Sequence, residues 1–233
     1  MSVYTMAHQF AQGVLDFYQS LVLTTRMPAG VEVLNPYRQV DTMALCKSFY
    51  EKYYNDTSER LLLLGINPGR FGSGATGISF TDPIQLERTC GIPNPLPKKP
   101  ELSSTFVYQV IEALGGTHQF YRHFFISAVS PLGFIKNGKN INYYDEPQLT
   151  KAVAPFVLSS MEKLLTMNIN RSVCFCIGEG KNLDYLSELN AKHGWFRDIR
   201  PLAHPRFIMQ YKRKQLGTYI EVWKQALENA LPR

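Results

Sequence analysis

Between residues 4 and 23, apolar side chains recur at helical spacing: Tyr4, Ala7, Phe10, Ala11, Val14, Phe17, Tyr18 and Leu21. That spacing predicts an amphipathic helix, closed off by Pro28 and Gly30. A short Val-Glu-Val-Leu run and Asn35–Pro36 follow, and a second helix is predicted over 41–54, ending near Asn55–Asp56. The pattern then changes. Leu61 to Leu64, Gly65 and Ile66 form a short run, apolar throughout, that stops at a turn-rich segment. A central strand buried on both faces has this signature. Runs at Phe124–Val129, Val173–Ile177 and, more weakly, Ile199–Ala203 share it. Helical patterns at 104–114, 147–166 and 180–191 separate these runs, and a last helix spans about 215 to 230. Asp145 or Glu146 can cap the helix that has Pro147 in its first turn.

Strands alternating with helices predict an α/β fold, three layers α/β/α around a central, mostly parallel four-stranded sheet. The length, 233 residues, fits one domain over 1–233. In such a sheet ligands bind beyond the carboxyl ends of the strands. That rule singles out the segments 67–82, 130–144, 178–182 and 204–214.

The first of these segments continues a glycine-rich stretch, Gly65-Ile66-Asn67-Pro68-Gly69-Arg70-Phe71-Gly72-Ser73-Gly74-Ala75-Thr76-Gly77-Ile78-Ser79-Phe80. It is longer than the usual α/β connection, which argues for a functional loop. Gly72 to Gly77 matches G-x-G-x-x-G. A dinucleotide site needs that pattern to leave a strand directly and open a helix. Here the match begins well past Gly65, and Pro83 and the turn residues argue against an immediate helix. The match reads as accidental, with a dinucleotide-binding oxidoreductase as the alternative it would support. The lysine of a phosphate-binding P-loop is absent.

At the other end, His204-Pro205 follows a strand and precedes Arg206, then Phe207-Ile208-Met209, then Lys212-Arg213-Lys214. A lone histidine is more often structural than catalytic, and a charge run more often a solvated helix start. Apolar wedges flanked by cations, however, are what proteins use to open a base step and neutralise phosphates. The alternative is that the three apolar residues pack into the core.

Charge adds to this picture. The formal net charge of +6 and pI near 9.1 favour a polyanionic partner. Cys46, Cys90, Cys174 and Cys176 form no CxxC pair and read as buried thiols rather than cluster ligands. No metal-ligand cluster and no cofactor is expected. The N-terminus lacks a signal-peptide pattern and no apolar stretch approaches a membrane span, so a soluble intracellular protein is expected.

The sequence resembles the single-strand-selective monofunctional uracil-DNA glycosylases, family 3 of that superfamily. Their first motif, G-M-N-P-G-P-F-G-M leading to T-G-V-P-F, matches Gly65 to Gly72 and Thr76 to Phe80 with identical internal spacing. Arg70 stands in place of a proline. Their second motif begins H-P-S-P-R-N, of which His204 and Pro205 match the start. Looser similarity covers Asn35–Pro36, Ser130-Pro131-Leu132 and Val173 to Gly178.

The resemblance implies a uracil-DNA glycosylase-like fold and a monofunctional glycosylase that removes uracil or a 5-substituted uracil in base excision repair. Its partner would be DNA carrying uracil or related deaminated or oxidised bases. No obligate protein partner is implied, and a monomer is expected. Asn67 would position the attacking water and His204 would stabilise charge on uracil O2. Phe80 would stack on the flipped base, and Gly69 would leave space beside C5. Gly65, Ile66, Pro68, Ser127 and Ala128 complete the implied base pocket. Arg70, Phe71, Ser130, Arg206, Phe207, Ile208, Met209, Lys212, Arg213 and Lys214 form the implied DNA contact.

The residue types suit the chemistry. Breaking an N-glycosidic bond leaves an anionic base, which needs donors aimed where charge develops. A neutral histidine can donate without carrying charge, whereas asparagine cannot act as a base. One position departs from the family. The asparagine that reads the Watson–Crick edge of uracil aligns with Ala128, which leaves Ser127, a backbone group or Asn137 as the candidates to substitute for it. A DNA-binding relative with weak or altered base specificity is therefore the second reading.

Overall fold

A computed structural model describes residues 9–231 of the protein. Helix α1 covers Phe10–Gln19 and α2 Val40–Tyr54. The first is shorter than its apolar pattern: the chain leaves the helix at Ser20, although Leu21 is still buried, and Tyr4 and Ala7 lie outside the described residues. Strand β1 is Val31–Leu34 and β2 Arg60–Gly65. Short helices α3, Ser73–Thr76, and α4, Pro83–Arg88, follow, then α5, Leu102–Ala113, and α6, Thr117–His123. Strands β3, β4 and β5 cover Phe124–Ala128, Gly133–Lys136 and Lys139–Ile141. The remaining elements are α7, Pro147–Leu164; β6, Ile169–Ile177; α8, Lys181–His193; β7, Asp198–Leu202; α9, Pro205–Tyr211; and α10, Leu216–Glu228.

The central sheet has the order β3-β2-β6-β7 and every pairing is parallel. Helices flank it, as the alternating pattern predicts. Every residue of β2 is buried, which explains its uninterrupted apolar run. Arg60 begins this strand with a fully buried guanidinium. Asp56 holds it at 2.8 and 2.9 Å and it lies over the rings of Phe10 and Tyr54. The parallel pairing sends the carboxyl ends of all four strands to one edge of the sheet, where the conspicuous motifs follow them.

Three features depart from the sequence expectation. A second sheet, antiparallel in the order β1-β4-β5, flanks that edge. Its β4–β5 turn is Asn137–Gly138, both at positive φ (50° and 68°), the geometry of a tight hairpin. Pro83 does not prevent a helix. It occupies the first turn of α4 behind Asp82, whose carboxylate accepts from Ile84 and Gln85 N–H at 2.9 and 2.8 Å. Finally, neither Asp145 nor Glu146 caps α7 through its side chain. Glu146 pairs with Lys136 of β4 at 2.6 Å, and Asp145 accepts from Asn142 N–H at 2.7 Å.

Candidate active site

A cleft of about 500 Å³ opens at the carboxyl edge of the sheet. Each central strand delivers one wall. Strand β2 ends at Gly65 and runs into Ile66-Asn67-Pro68-Gly69; β3 supplies Ser127 and Ala128; β6 leads to Gly178; β7 leads to His204. The two strand ends are locked in register. Gly65 pairs with Ala128, and the N–H groups of Val129 and Ser130 donate to the carbonyls of Gly65 and Ile66 at 2.9 and 3.1 Å.

Asn67 is fixed at both ends of its amide. Its Oδ1 accepts from Tyr143 N–H at 3.0 Å and its Nδ2 donates to the Ile141 carbonyl at 3.2 Å. The loop after β5 therefore orients this side chain and leaves one carbonyl lone pair free. Phe80 lines the same cleft, at a positive φ of 52°, costly for an aromatic residue. Thr76 holds that conformation: its hydroxyl donates to the Thr81 carbonyl at 2.7 Å and accepts from Ile78 N–H at 3.2 Å. The Phe80 ring lies so close to Gly65 that an added Cβ would come within 2.8 Å of it. A side chain at this position would have to displace the ring. At Gly69 an added Cβ would meet the amide nitrogen of Asn140 at 3.1 Å.

His204 is the N-cap of α9. Its Nδ1 accepts from Arg206 N–H at 3.1 Å, which assigns the ring proton to Nε2, free to donate. Burial, and secondarily the Arg206 charge, push its pKa down to about 4. The ring is thus neutral at physiological pH. Its centre lies 6.2 Å from that of Phe80 across the cleft.

Helix α9 separates the residues that the sequence grouped as one wedge. Phe207 is 43% exposed and lines the cleft, whereas Ile208 is 0% and Met209 8% exposed. Successive residues on a helix point about 100° apart, so three adjacent apolar residues cannot share one exposed face. Ile208 and Met209 belong to the core, against the DNA-contact expectation. Tyr211, one turn beyond Phe207 and 73% exposed, joins it at the cleft with ring centres 5.7 Å apart. Ser130 also leaves the expected DNA face: it is fully buried and its hydroxyl donates to the Leu132 carbonyl at 2.8 Å. Asn137 sits in the exposed hairpin turn and does not line the cleft, so it is no substitute reader of the base. Arg70 is half-buried with its guanidinium over the Phe71 ring. Lys212 is partly exposed, Arg213 and Lys214 are exposed, and among the described residues none pairs with a carboxylate.

Several lining residues were not anticipated, among them Ser79, Glu101, Asn142, Tyr144, Glu179 and Tyr211. The spacing Phe207–Tyr211 was the available signal for Tyr211, since i and i+4 share a helix face. Glu101 gave no sequence signal. All four Cys side chains are free and buried, and among the described residues no group of three or more His, Cys, Asp or Glu is placed to hold a metal ion. No helix among them is long and apolar enough to cross a membrane. The G-x-G-x-x-G match lies in the loop and one-turn helix α3 rather than at a strand end, which removes the geometry a dinucleotide site requires.

The family model described as "Uracil DNA glycosylase superfamily" matches residues 51–228. The solved structure "The crystal structure of WT Pedobacter heparinus SMUG2" superimposes with a TM-score of 0.93 at 45% identity. The match covers 95% of this chain and 97% of that one. A search of curated proteins finds no match. Because that family model spans most of the sequence, the chain belongs to the uracil DNA glycosylase superfamily, enzymes that hydrolyse N-glycosyl bonds in DNA.

Proposed function

We propose that the protein is a monofunctional DNA glycosylase that flips uracil, or a 5-substituted uracil, into this cleft and hydrolyses its N-glycosidic bond in base excision repair. One observation carries the reading: Asn67, Phe80 and a neutral His204 converge on a single cleft at the carboxyl edge of the sheet. The flipped base stacks on Phe80. As the bond lengthens, negative charge grows on the base, and His204 Nε2–H donates to its O2. A neutral donor suits this task, because it stabilises the anion without needing a counter-charge in a half-buried site. The free lone pair of the Asn67 carbonyl orients the attacking water. Asparagine accepts no proton, so the rate rests on leaving-group stabilisation. Gly69 leaves open the side of the base that carries C5.

At the cleft mouth, Phe207 fills the space left by the flipped base, and Arg206, Lys212, Arg213 and Lys214 meet phosphates. Ala128 favours the second reading, altered base specificity, because a methyl group offers nothing to the Watson–Crick edge. Ser127 remains beside it, its hydroxyl 3.5 Å from that of Tyr18. Oligonucleotides each carrying one modified base, assayed for alkali-labile abasic sites, test both readings. Cleavage at uracil supports the first. DNA binding with no abasic product, or with product only at a base other than uracil, supports the second.

A further inference from the structure

Beside the cleft lies a smaller recess of about 240 Å³. The two share Gly69, Glu101, Ser103, Asn140 and Arg206 as walls, so a chain entering one continues into the other. Lys99, which precedes α5, and Arg206, on α9, reach the recess. Both side chains are exposed, and among the described residues neither is paired with a carboxylate. The Lys99 ammonium lies 5.2 Å from the centre of the Phe71 ring, which is itself 48% exposed. Two free cations, the Asn140 amide and an aromatic face describe a place for a backbone phosphate and its sugar.

The back wall contradicts that simple picture, because it carries a carboxyl group. Glu101 leads into α5, with its backbone N–H held by Asp82 at 2.9 Å and its carboxyl packed against Gly72. Asp82 faces it from the cap of α4, Arg206 from α9, Ser103 and the Ser104 backbone from its own helix, and Lys99 from the preceding segment. Asn140 of β5 and Phe71 and Gly72 of the motif loop complete the surroundings without charge. Burial, and secondarily the Asp82 charge, raise the Glu101 pKa to about 7. The group is therefore poised to take up or lose a proton near neutrality, and a phosphate arriving beside it favours the protonated form.

We propose that this recess binds the DNA phosphate next to the flipped nucleotide, between Lys99 and Arg206, and that Glu101 takes a proton from solvent when it does. The neutral carboxyl then removes the repulsion and can donate a hydrogen bond to the phosphate. The inference rests on the glycosylase reading for its choice of DNA, but it concerns affinity rather than bond cleavage.

The test is binding of a fluorescent oligonucleotide carrying a tetrahydrofuran abasic analogue, which cannot be cleaved. A failure of base release leaves this measurement untouched. If binding requires one proton on a group of pKa about 7, wild-type affinity falls about tenfold between pH 6 and pH 8. Glu101→Gln, which mimics the neutral carboxyl, keeps its pH 6 affinity at pH 8. Lys99→Ala lowers the slope of log affinity against log salt by about one. Identical pH profiles for wild type and Glu101→Gln overturn the proton uptake. An unchanged salt slope in Lys99→Ala overturns the recess as a phosphate site.

Discussion

Truncating two neighbours on α9 separates a DNA wedge from a core residue. Ile208 is fully buried on a helix that packs against α5 and α10. Ile208→Ala deletes buried carbon and leaves a cavity, which costs about 2–5 kcal/mol. Phe207 is 43% exposed. Full burial of a phenylalanine contributes about 1.5–3 kcal/mol, and the ring has little over half of that to lose, so Phe207→Ala costs about 1 kcal/mol. The functional effect runs the other way. A duplex must be opened before its base can flip, whereas a single strand need not be. Phe207→Ala should lower single-turnover excision from duplex DNA about tenfold more than from single-stranded DNA. Ile208→Ala, assayed well below its melting temperature, should leave that ratio unchanged. Urea denaturation gives the stabilities and matched duplex and single-strand substrates give the ratio. Strong destabilisation of Phe207→Ala with an unchanged ratio would refute the wedge.

Asn67→Ala and His204→Ala should each lower the single-turnover rate about 10²–10³-fold with little loss of DNA affinity; near-normal rates in both would remove them from the site. Replacing Lys212, Arg213 and Lys214 with alanine should flatten the salt dependence of DNA binding, read by titration from low to moderate salt. Glu101→Gln should raise the melting temperature at pH 8 more than at pH 5. The wild-type carboxyl has a raised folded pKa, so stability is lost as pH rises from its unfolded value to about 7, and glutamine does not share this loss.

The buried strands were the most legible part of the sequence, because burial on both faces leaves an uninterrupted apolar run. Phe124–Ala128 falls within one residue of its expected end. Strand β6 begins earlier than expected, at Ile169, because Asn170, Arg171 and Ser172 are at least partly exposed and break the apolar signal. The antiparallel sheet of β1, β4 and β5 was hidden for a related reason: its strands are short and half exposed. Asn137–Gly138 was the one cue that marked its hairpin. In the site, Asn67, Phe80 and His204 were legible because a motif of fixed spacing carried them. Their supports were not. The Asn67 amide depends on Ile141 and Tyr143, more than 70 residues away along the chain, and no local pattern announces such a contact. The apolar run Phe207-Ile208-Met209 does not show by itself which residue faces the cleft, because helical geometry sends the three to different environments.

In the proposed function a neutral His204 drives departure of the base without a metal. Single-turnover release of uracil from an oligonucleotide, followed in chelator from pH 8 down to pH 4, checks this role. His204 has a depressed folded pKa, so its neutral form is complete above about pH 5 and is lost only as pH falls through about 4. With enzyme saturating at every pH, the expected result is abasic product in chelator, at a rate that is level from pH 8 to pH 6 and declines as pH approaches 4. A rate that already halves near pH 6.5, or product that forms only when a divalent metal is restored, would rule out this role for His204.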